Sequence, residues 1–208
     1  MTCSLEKMSI HELKKDKKRN VSQKQQVLLF LPKLIFEMRP VEIIQSKIFE
    51  NAQAFRPILD QWKQAGETIV FTNGCFDLVH RGHIDSLAKA AEFGDRLIVG
   101  LNSDVSVRLL KGKNRPLVDQ QSRAVLLASM LMVDAVIMFD KETPYELIQD
   151  ILPDVLVKGS EYQIEEIAGY DIVLASGGRV ERIELTEGFS TSDIIQKVKN
   201  KFLAPDKG

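Results

Sequence analysis

The sequence predicts an α/β protein built on a doubly wound parallel sheet with helices on both faces, and three observations carry that expectation. Strand-like and helix-like patterns alternate from about residue 67 onward, and parallel strands need crossover connections that are usually helices. The run Arg96-Leu-Ile-Val-Gly-Leu101 is almost continuously apolar, as expected of a strand covered on both faces. Polar, turn-forming segments follow the strand patterns at Asn73-Gly74, Asn102-Ser-Asp104 and Lys158-Gly159. Ligands of such sheets sit at the carboxyl ends of the strands, where strand order reverses.

Length and composition fit one domain with an appendage: 208 residues with 44% hydrophobic content fill a sizeable core. With 28 basic and 29 acidic residues, the chain has no global pull toward nucleic acid or a membrane surface, so any anion is bound locally. Two distant cysteines, Cys3 and Cys75, make no disulfide framework and suit a reducing cytoplasm. Residues 1–40 are basic and polar, then apolar, without a period; they read as a flexible or non-native leader, with Met38 an alternative start. The apolar run Val27 to Phe36 is too short for a membrane span, is interrupted by Pro32 and Lys33, and has no small-residue cleavage site after it.

The elements follow in order. From Val41, apolar residues recur at Ile44, Ile48, Ala52, Phe55, Leu59 and Trp62, a helical face that ends at Gly66. These helices over 41–66 can cover the core or pair with a second subunit, so a homo-oligomer is one expectation. A strand over Thr68 to Thr72 precedes a helix from near Gly82, whose buried stripe is Ile84, Leu87, Ala88 and Ala91. After the Arg96–Leu101 strand, a short helix follows Ser103, and Lys111-Gly-Lys-Asn-Arg-Pro116 is a basic loop. Asp119 reads as the N-cap of a helix running to about Met132. Ala135–Phe139 is a strand, and Thr143-Pro-Tyr-Glu146 carries a capping box with proline at the first helical position. Asp154–Val157 is a strand, Glu165 to Ser176 a helical segment and Val180 to Leu185 a strand. Ser190-Thr-Ser-Asp193 caps a final helix whose Ile194, Ile195 and Val198 face inward.

The chemistry gathers in Val70-Phe-Thr-Asn-Gly-Cys-Phe-Asp-Leu-Val-His-Arg-Gly-His83. His80 and His83 stand at a helix start, where free N–H groups and the helix dipole favour an anion. Strand, glycine turn and helix together favour a phosphate site over two surface imidazoles. A metal centre would need a third ligand, and none stands at suitable spacing. The stretch is neither the dinucleotide glycine fingerprint nor a P-loop.

Phe71-Thr-Asn-Gly-Cys-Phe-Asp77 with His80-Arg-Gly-His83 resembles the first signature of the HIGH-motif nucleotidyltransferase superfamily, in its cytidylyltransferase-like branch. Glu187-Gly-Phe-Ser-Thr-Ser192 is similar to that branch's second signature, Glu-Gly-Ile-Ser-Thr-Thr. Within the branch, Gly94–Asp104, Leu110–Pro116, Ile151–Gly159 and Glu165–Gly169 resemble the D-glycero-β-D-manno-heptose 1-phosphate adenylyltransferases in a stand-alone form. The resemblance covers about residues 41 to 202 and implies a Rossmann-like nucleotidyltransferase fold over 67–203. It implies transfer of AMP from ATP, with Mg²⁺, to the heptose phosphate, giving ADP-heptose for lipopolysaccharide core or another glycoconjugate.

The resemblance also implies roles. His80 and His83 would contact ATP phosphates. Lys111 would face the α-phosphate and the attacking sugar phosphate, assisted by Arg115 or Arg123, although Arg123 could equally be an exposed helix-face charge. Thr72, Asn73, Gly74, Cys75 and Phe76 would line the phosphates through their backbone, with the Cys75 thiol packed. Glu187, Gly188, Ser190, Thr191 and Ser192 would close over the β- and γ-phosphates while also capping their helix. Lys158 and Gly159 would border base and ribose, although Ser160-Glu-Tyr162 replaces the usual Gly-Asp-Tyr there. Asp77, Asn102 and Asp104 would contact the sugar, or Asp77 and Asp104 a metal, where turn stabilisation is the commoner role for a carboxylate. Two other functions share these residues: a cytidylyltransferase acting on glycerol 3-phosphate or a related alcohol phosphate, and a nucleotide-binding module without catalysis.

Overall fold

A computed structural model of the chain describes residues 39–186 and 188–202. The leader through residue 38, Glu187 and residue 203 lie outside the described residues. Contacts divide the chain after Ile43. In the first unit, the Arg39 guanidinium donates to the Glu42 carboxylate at 2.8 Å within the first turn of α1 (Pro40–Gln45).

The second unit runs β1 (Ile48–Phe49), α2 (Ala52–Gln64), β2 (Ile69–Gly74), α3 (Arg81–Ala91), β3 (Arg96–Asn102), α4 (Asp104–Lys111) and α5 (Gln120–Ala128). It continues through β4 (Ala135–Phe139), α6 (Tyr145–Ile151), β5 (Val155–Gly159), a 3₁₀ turn (Ile164–Glu166), α7 (Tyr170–Ala175), β6 (Arg179–Ile183) and α8 (Thr191–Phe202). The six strands are all parallel in the order β1-β4-β3-β2-β5-β6. From β2 the chain builds outward through β3 and β4, then returns to the other side of β2 with β5 and β6. Strand order therefore reverses beside β2, and the crevice at its carboxyl end is where a doubly wound sheet takes its ligand.

Neighbouring residues of each strand enter opposite cores. Val70, Val99 and Val136 pack with Leu87 of α3 and Leu127 of α5, while Phe71, Ile98 and Ile137 pack with Phe55 and Leu59 of α2 and Ile148 of α6. Each such side chain, fully buried, contributes about 1.5–3 kcal/mol. That two-sided burial is why the strands read as unbroken apolar runs. Asp119 caps its helix as expected, accepting from the Ser122 N–H, and Asn51 and Ser103 cap theirs in the same way, accepting from the N–H groups of Ala54 and Ser106. None of the described helices is long and apolar enough to cross a membrane.

Several local expectations are corrected. The helical run from Val41 to Trp62 is broken by β1, whose Ile48 and Phe49 pair with Val136 and Ile137 of β4. A spacing of four from Ile44 to Ile48 to Ala52 fits a helix, yet Asn51 restarts the helix after the strand. Ile84 is 43% exposed; the buried residues of α3 are Gly82, Leu87 and Ala90. α5 stops at Ala128 rather than near Met132. Pro144 precedes α6 without a side-chain cap, so the box read at Thr143–Glu146 is not formed. Gly169, at φ +84, divides the expected Glu165–Ser176 helix into the 3₁₀ turn and α7. β6 starts at Arg179 and ends at Ile183, short of Leu185. α8 buries no residue, and Val198 is 51% exposed rather than facing inward.

Gly94, which joins α3 to β3, has no room for a side chain: a Cβ there would lie 2.7 Å from both the Thr68 carbonyl and a Val70 methyl. We expect Gly94→Ala to cost about 1–3 kcal/mol through overpacking, read as a lower urea midpoint at an unchanged slope.

Candidate active site

The turn after β2 is wound tightly. Phe76 and Leu78 hold φ of +47 and +55, a left-handed conformation that non-glycine residues adopt only at a cost of about 1 kcal/mol or more. The winding folds the Phe76 ring back over Gly74, where a Cβ would lie 3.1 Å from the ring, and sets it 5.2 Å from the His83 ring. His80 immediately precedes α3 and His83 stands in its first turn. Their rings stack at 3.9 Å and 22°. The His80 N–H donates to His83 Nδ1 at 3.4 Å, a long bond that selects the neutral tautomer carrying its proton on Nε2. Burial, followed by the neighbouring His80, pushes the His83 imidazole down to about 4, and burial lowers His80 as well. At neutral pH the pair therefore supplies N–H donors rather than charge.

The charge comes from the sides. Burial pushes the Cys75 thiol up, while Lys111, Arg123 and Arg115 pull it back down, so three cations surround the end of β2. Lys111 ends α4 with its side chain exposed. Arg115, expected to assist at the phosphates, pairs with Asp77 at 2.6 Å. Arg123 is 0% exposed, not a charge on a helix surface. It donates to the carbonyls of Val118, Cys75 and Asn102 and to the Asp104 carboxylate, joining the ends of β2 and β3.

Asp77, expected at a sugar or metal, is buried and fully engaged. Its carboxylate accepts from the Arg115 guanidinium and from the N–H groups of Leu117 and Val118 at 2.6–3.0 Å. Burial alone would raise this carboxyl; the two backbone donors and Arg115 outweigh it and hold it below the usual range. Asn102, also expected at the sugar, is buried and donates to Ser106 Oγ at 2.8 Å, and Ser106 in turn donates to the Lys141 carbonyl. These side chains position the loops around the crevice.

The two sequence signatures meet here. Thr191 Oγ1 donates to the Asp77 carbonyl at 2.8 Å, across 114 residues of sequence. Ser190 Oγ accepts from the Asp193 N–H at 3.0 Å, the expected cap, and Gly188 turns the chain at φ +79. Phe189 lies 5.5 Å beneath the Arg81 guanidinium, and its Cβ faces the α-carbon of Gly82. The starts of α3 and α8 thus lie side by side, with Ser192 exposed on the first turn of α8. On the other flank, Lys158 Nζ donates to the Asn73 carbonyl at 3.1 Å and lies 5.9 Å from the Tyr162 ring. The carboxylate of Glu161 folds over Gly159. Phe76 as a ring support, Phe189, Arg81 and Glu161 were not expected from the sequence; they follow from turns whose shape no local pattern announces.

Residues 71–197 match the family model for cytidylyltransferase-like domains. The chain belongs to the cytidylyltransferase-like family. It is 48% identical over 150 residues to the "Bifunctional protein HldE" of Syntrophotalea carbinolica, covering 72% of this chain and 31% of that protein. It is 51% identical over 142 residues to the protein of the same name from Azorhizobium caulinodans, covering 68% of this chain and 30% of that one. The chain therefore spans about a third of the length of these curated relatives. Among solved structures it is similar to a pantoate-β-alanine ligase from Francisella tularensis, with a TM-score of 0.50 and 17% identity over 73% of this chain and 76% of that one, a likeness of fold.

As a cytidylyltransferase-like protein, the chain is a nucleotidyltransferase. A reaction of that class gathers negative charge on phosphoryl oxygens and asks the protein for position and charge stabilisation more than for a nucleophile. Two helix starts, two neutral imidazole donors and the exposed Lys111 answer that requirement without a covalent intermediate.

Proposed function

We propose that the chain transfers AMP from ATP to D-glycero-β-D-manno-heptose 1-phosphate, giving ADP-heptose and pyrophosphate. The observation that carries nucleotidyl transfer is the convergence of the His80–His83 pair with the Ser190–Ser192 helix start at the point where strand order reverses. The acceptor is supported by the segments Leu110–Pro116 and Ile151–Gly159 and by the kinship with the HldE proteins.

In this reading a phosphate oxygen of the sugar attacks the α-phosphorus in line, the bond from that phosphorus to the bridging oxygen breaks, and pyrophosphate leaves. His80 and His83 donate N–H groups to phosphate oxygens. The N–H and hydroxyl groups at Gly188, Ser190, Thr191 and Ser192 hold the departing end, and Lys111 faces the acceptor phosphate. Among the described residues no cluster of three His, Cys, Asp or Glu side chains could hold a metal. Mg²⁺, where it takes part, would be carried in by ATP and would offset charge on its phosphates. The same reading puts the enzyme in the cytoplasm with its small-molecule substrates, in the supply of lipopolysaccharide core precursors.

The test is a matrix of ATP and CTP against heptose 1-phosphate and glycerol 3-phosphate, followed by pyrophosphate release. Turnover only with CTP would overturn the heptose reading in favour of the alcohol-phosphate cytidylyltransferase. Nucleotide binding without pyrophosphate from any pair would make the chain a binding module. We expect Lys111→Ala to lower kcat roughly tenfold, because an exposed ammonium acts through high dielectric, and to raise the KM of the acceptor more than that of ATP.

A further inference from the structure

Asn73 carries a side-chain carbonyl left unpaired among the described residues: its Oδ1 is buried without a hydrogen-bond partner. Nearly all buried polar atoms in folded proteins are paired, and leaving one unpaired costs about 1–3 kcal/mol. Asn73 pairs in register with Gly100 of β3, where a Cβ would lie 2.6 Å from the Phe71 ring and 3.1 Å from the Asn73 Cβ, so the glycine gives the Phe71 ring and the Asn73 side chain their room on this face.

On the other side stands Lys158. It lies two residues beyond Leu156, as Asn73 lies two beyond Leu156's partner Phe71, so the two side chains share a row and a face of the sheet. Among the described residues the ammonium makes one contact to an acceptor, to the Asn73 carbonyl. Burial pushes this lysine down to about 8, while Glu161 and Cys75 pull it up, so at neutral pH it remains mostly protonated with further N–H groups to give. The aromatic ring of Tyr162 flanks the same ammonium, in a residue that is 44% exposed.

This row lies on the sheet face shared by Phe71 and Leu156 and covered by α2 and α6, whereas the histidines open α3 on the opposite face. A triphosphate held at the histidines and running across the strand ends would bring its nucleobase to the Asn73–Lys158 side, beside an aromatic ring on which a base can stack. An acceptor next to a donor is complementary to an exocyclic amine next to an unprotonated ring nitrogen. Adenine and cytosine present that edge; guanine, hypoxanthine and uracil present the reverse.

We propose that Asn73 and Lys158 are the base-reading pair, Asn73 Oδ1 accepting from the exocyclic amine and Lys158 Nζ donating to the adjacent ring nitrogen. The pair selects amino bases over oxo bases and leaves the choice between adenine and cytosine to the size of the slot. The inference rests on the nucleotide-donor reading above but not on the identity of the acceptor.

The experiment is equilibrium binding by calorimetry, without acceptor, of ATP, purine riboside triphosphate (which lacks only the amine), inosine triphosphate and 2′-deoxy-ATP to the full chain and to Asn73→Leu. Leucine is near in volume and removes the unpaired acceptor, so the variant should melt at the same temperature or higher. It should bind ATP and 2′-deoxy-ATP each roughly tenfold more weakly, ATP falling to the level of purine riboside triphosphate, while its affinity for purine riboside and inosine triphosphates stays as in the wild type. An equal loss for ATP and purine riboside triphosphate, a loss abolished by 2′-deoxy-ATP, or a variant that melts lower with unchanged affinities would each overturn the pair. A wild-type chain that binds none of these nucleotides would overturn the nucleotide-donor reading itself.

Discussion

His83→Ala lowers kcat by about two to three orders of magnitude, with little change in the KM for ATP, in a protein that remains folded. The size follows from removing one well-placed donor to charge that develops only in the transition state. The donor is the Nε2–H of a neutral ring, because the His80 N–H occupies Nδ1 and burial pushes the imidazole down to about 4. His83→Gln keeps a neutral N–H donor and should recover part of the loss. Near-wild-type turnover by a folded His83→Ala, or a rate that climbs as pH falls from 7 to 5, would sink this role.

The same depressed value has a consequence for stability. The folded pKa lies below the unfolded value of 6.5, so in the interval between them the unfolded chain binds the proton that the folded chain refuses. Stability is therefore full above about pH 6.5 and falls as pH drops toward 4. Urea midpoints at pH 7 and pH 5 should differ less for His83→Gln than for the wild type.

What could be read from the sequence was whatever leaves a local trace. β2, β3, β4 and β5 were legible because burial on both faces demands runs such as Ile69–Phe71 and Val155–Val157. The helix starts after Ser103 and at the Asp119 cap were legible because the partners stand three residues away. β1 was not, since two residues carry no period and its pairing with β4 is set some ninety residues downstream. The box at Thr143 failed for the opposite reason: its letters suit a cap, but the chain enters α6 through Pro144 without one.

In the site, the histidines and the Ser190 cap announced themselves as residue types at helix starts. The roles of Arg115, Arg123 and Asp77 did not, because a charged side chain in a loop looks alike whether it awaits a ligand or clasps another loop. Arg123 reaches acceptors on three segments at once, and no spacing along the chain encodes that.

Asp77→Ala should be the most damaging substitution to the structure of the site. The carboxylate is 2% exposed as a residue and holds the α4–α5 loop through Arg115, Leu117 and Val118, while its own carbonyl holds α8 through Thr191. Removing it leaves a half-buried guanidinium and two backbone donors without their acceptor. Breaking such a pair from one side costs about 3–5 kcal/mol, equivalent to a fall of roughly 10 °C in melting temperature for a chain of this size. Activity should fall about a hundredfold as well, because the loop that follows Lys111 loses its anchor. A double-mutant cycle separates this from direct ligand contact. If Asp77 acts by positioning the loop, adding Lys111→Ala to Asp77→Ala costs much less than Lys111→Ala costs alone, since a misplaced ammonium has little left to lose. If the two losses multiply, and Asp77→Ala melts like the wild type, then Asp77 touches substrate and its three internal donors are incidental to catalysis.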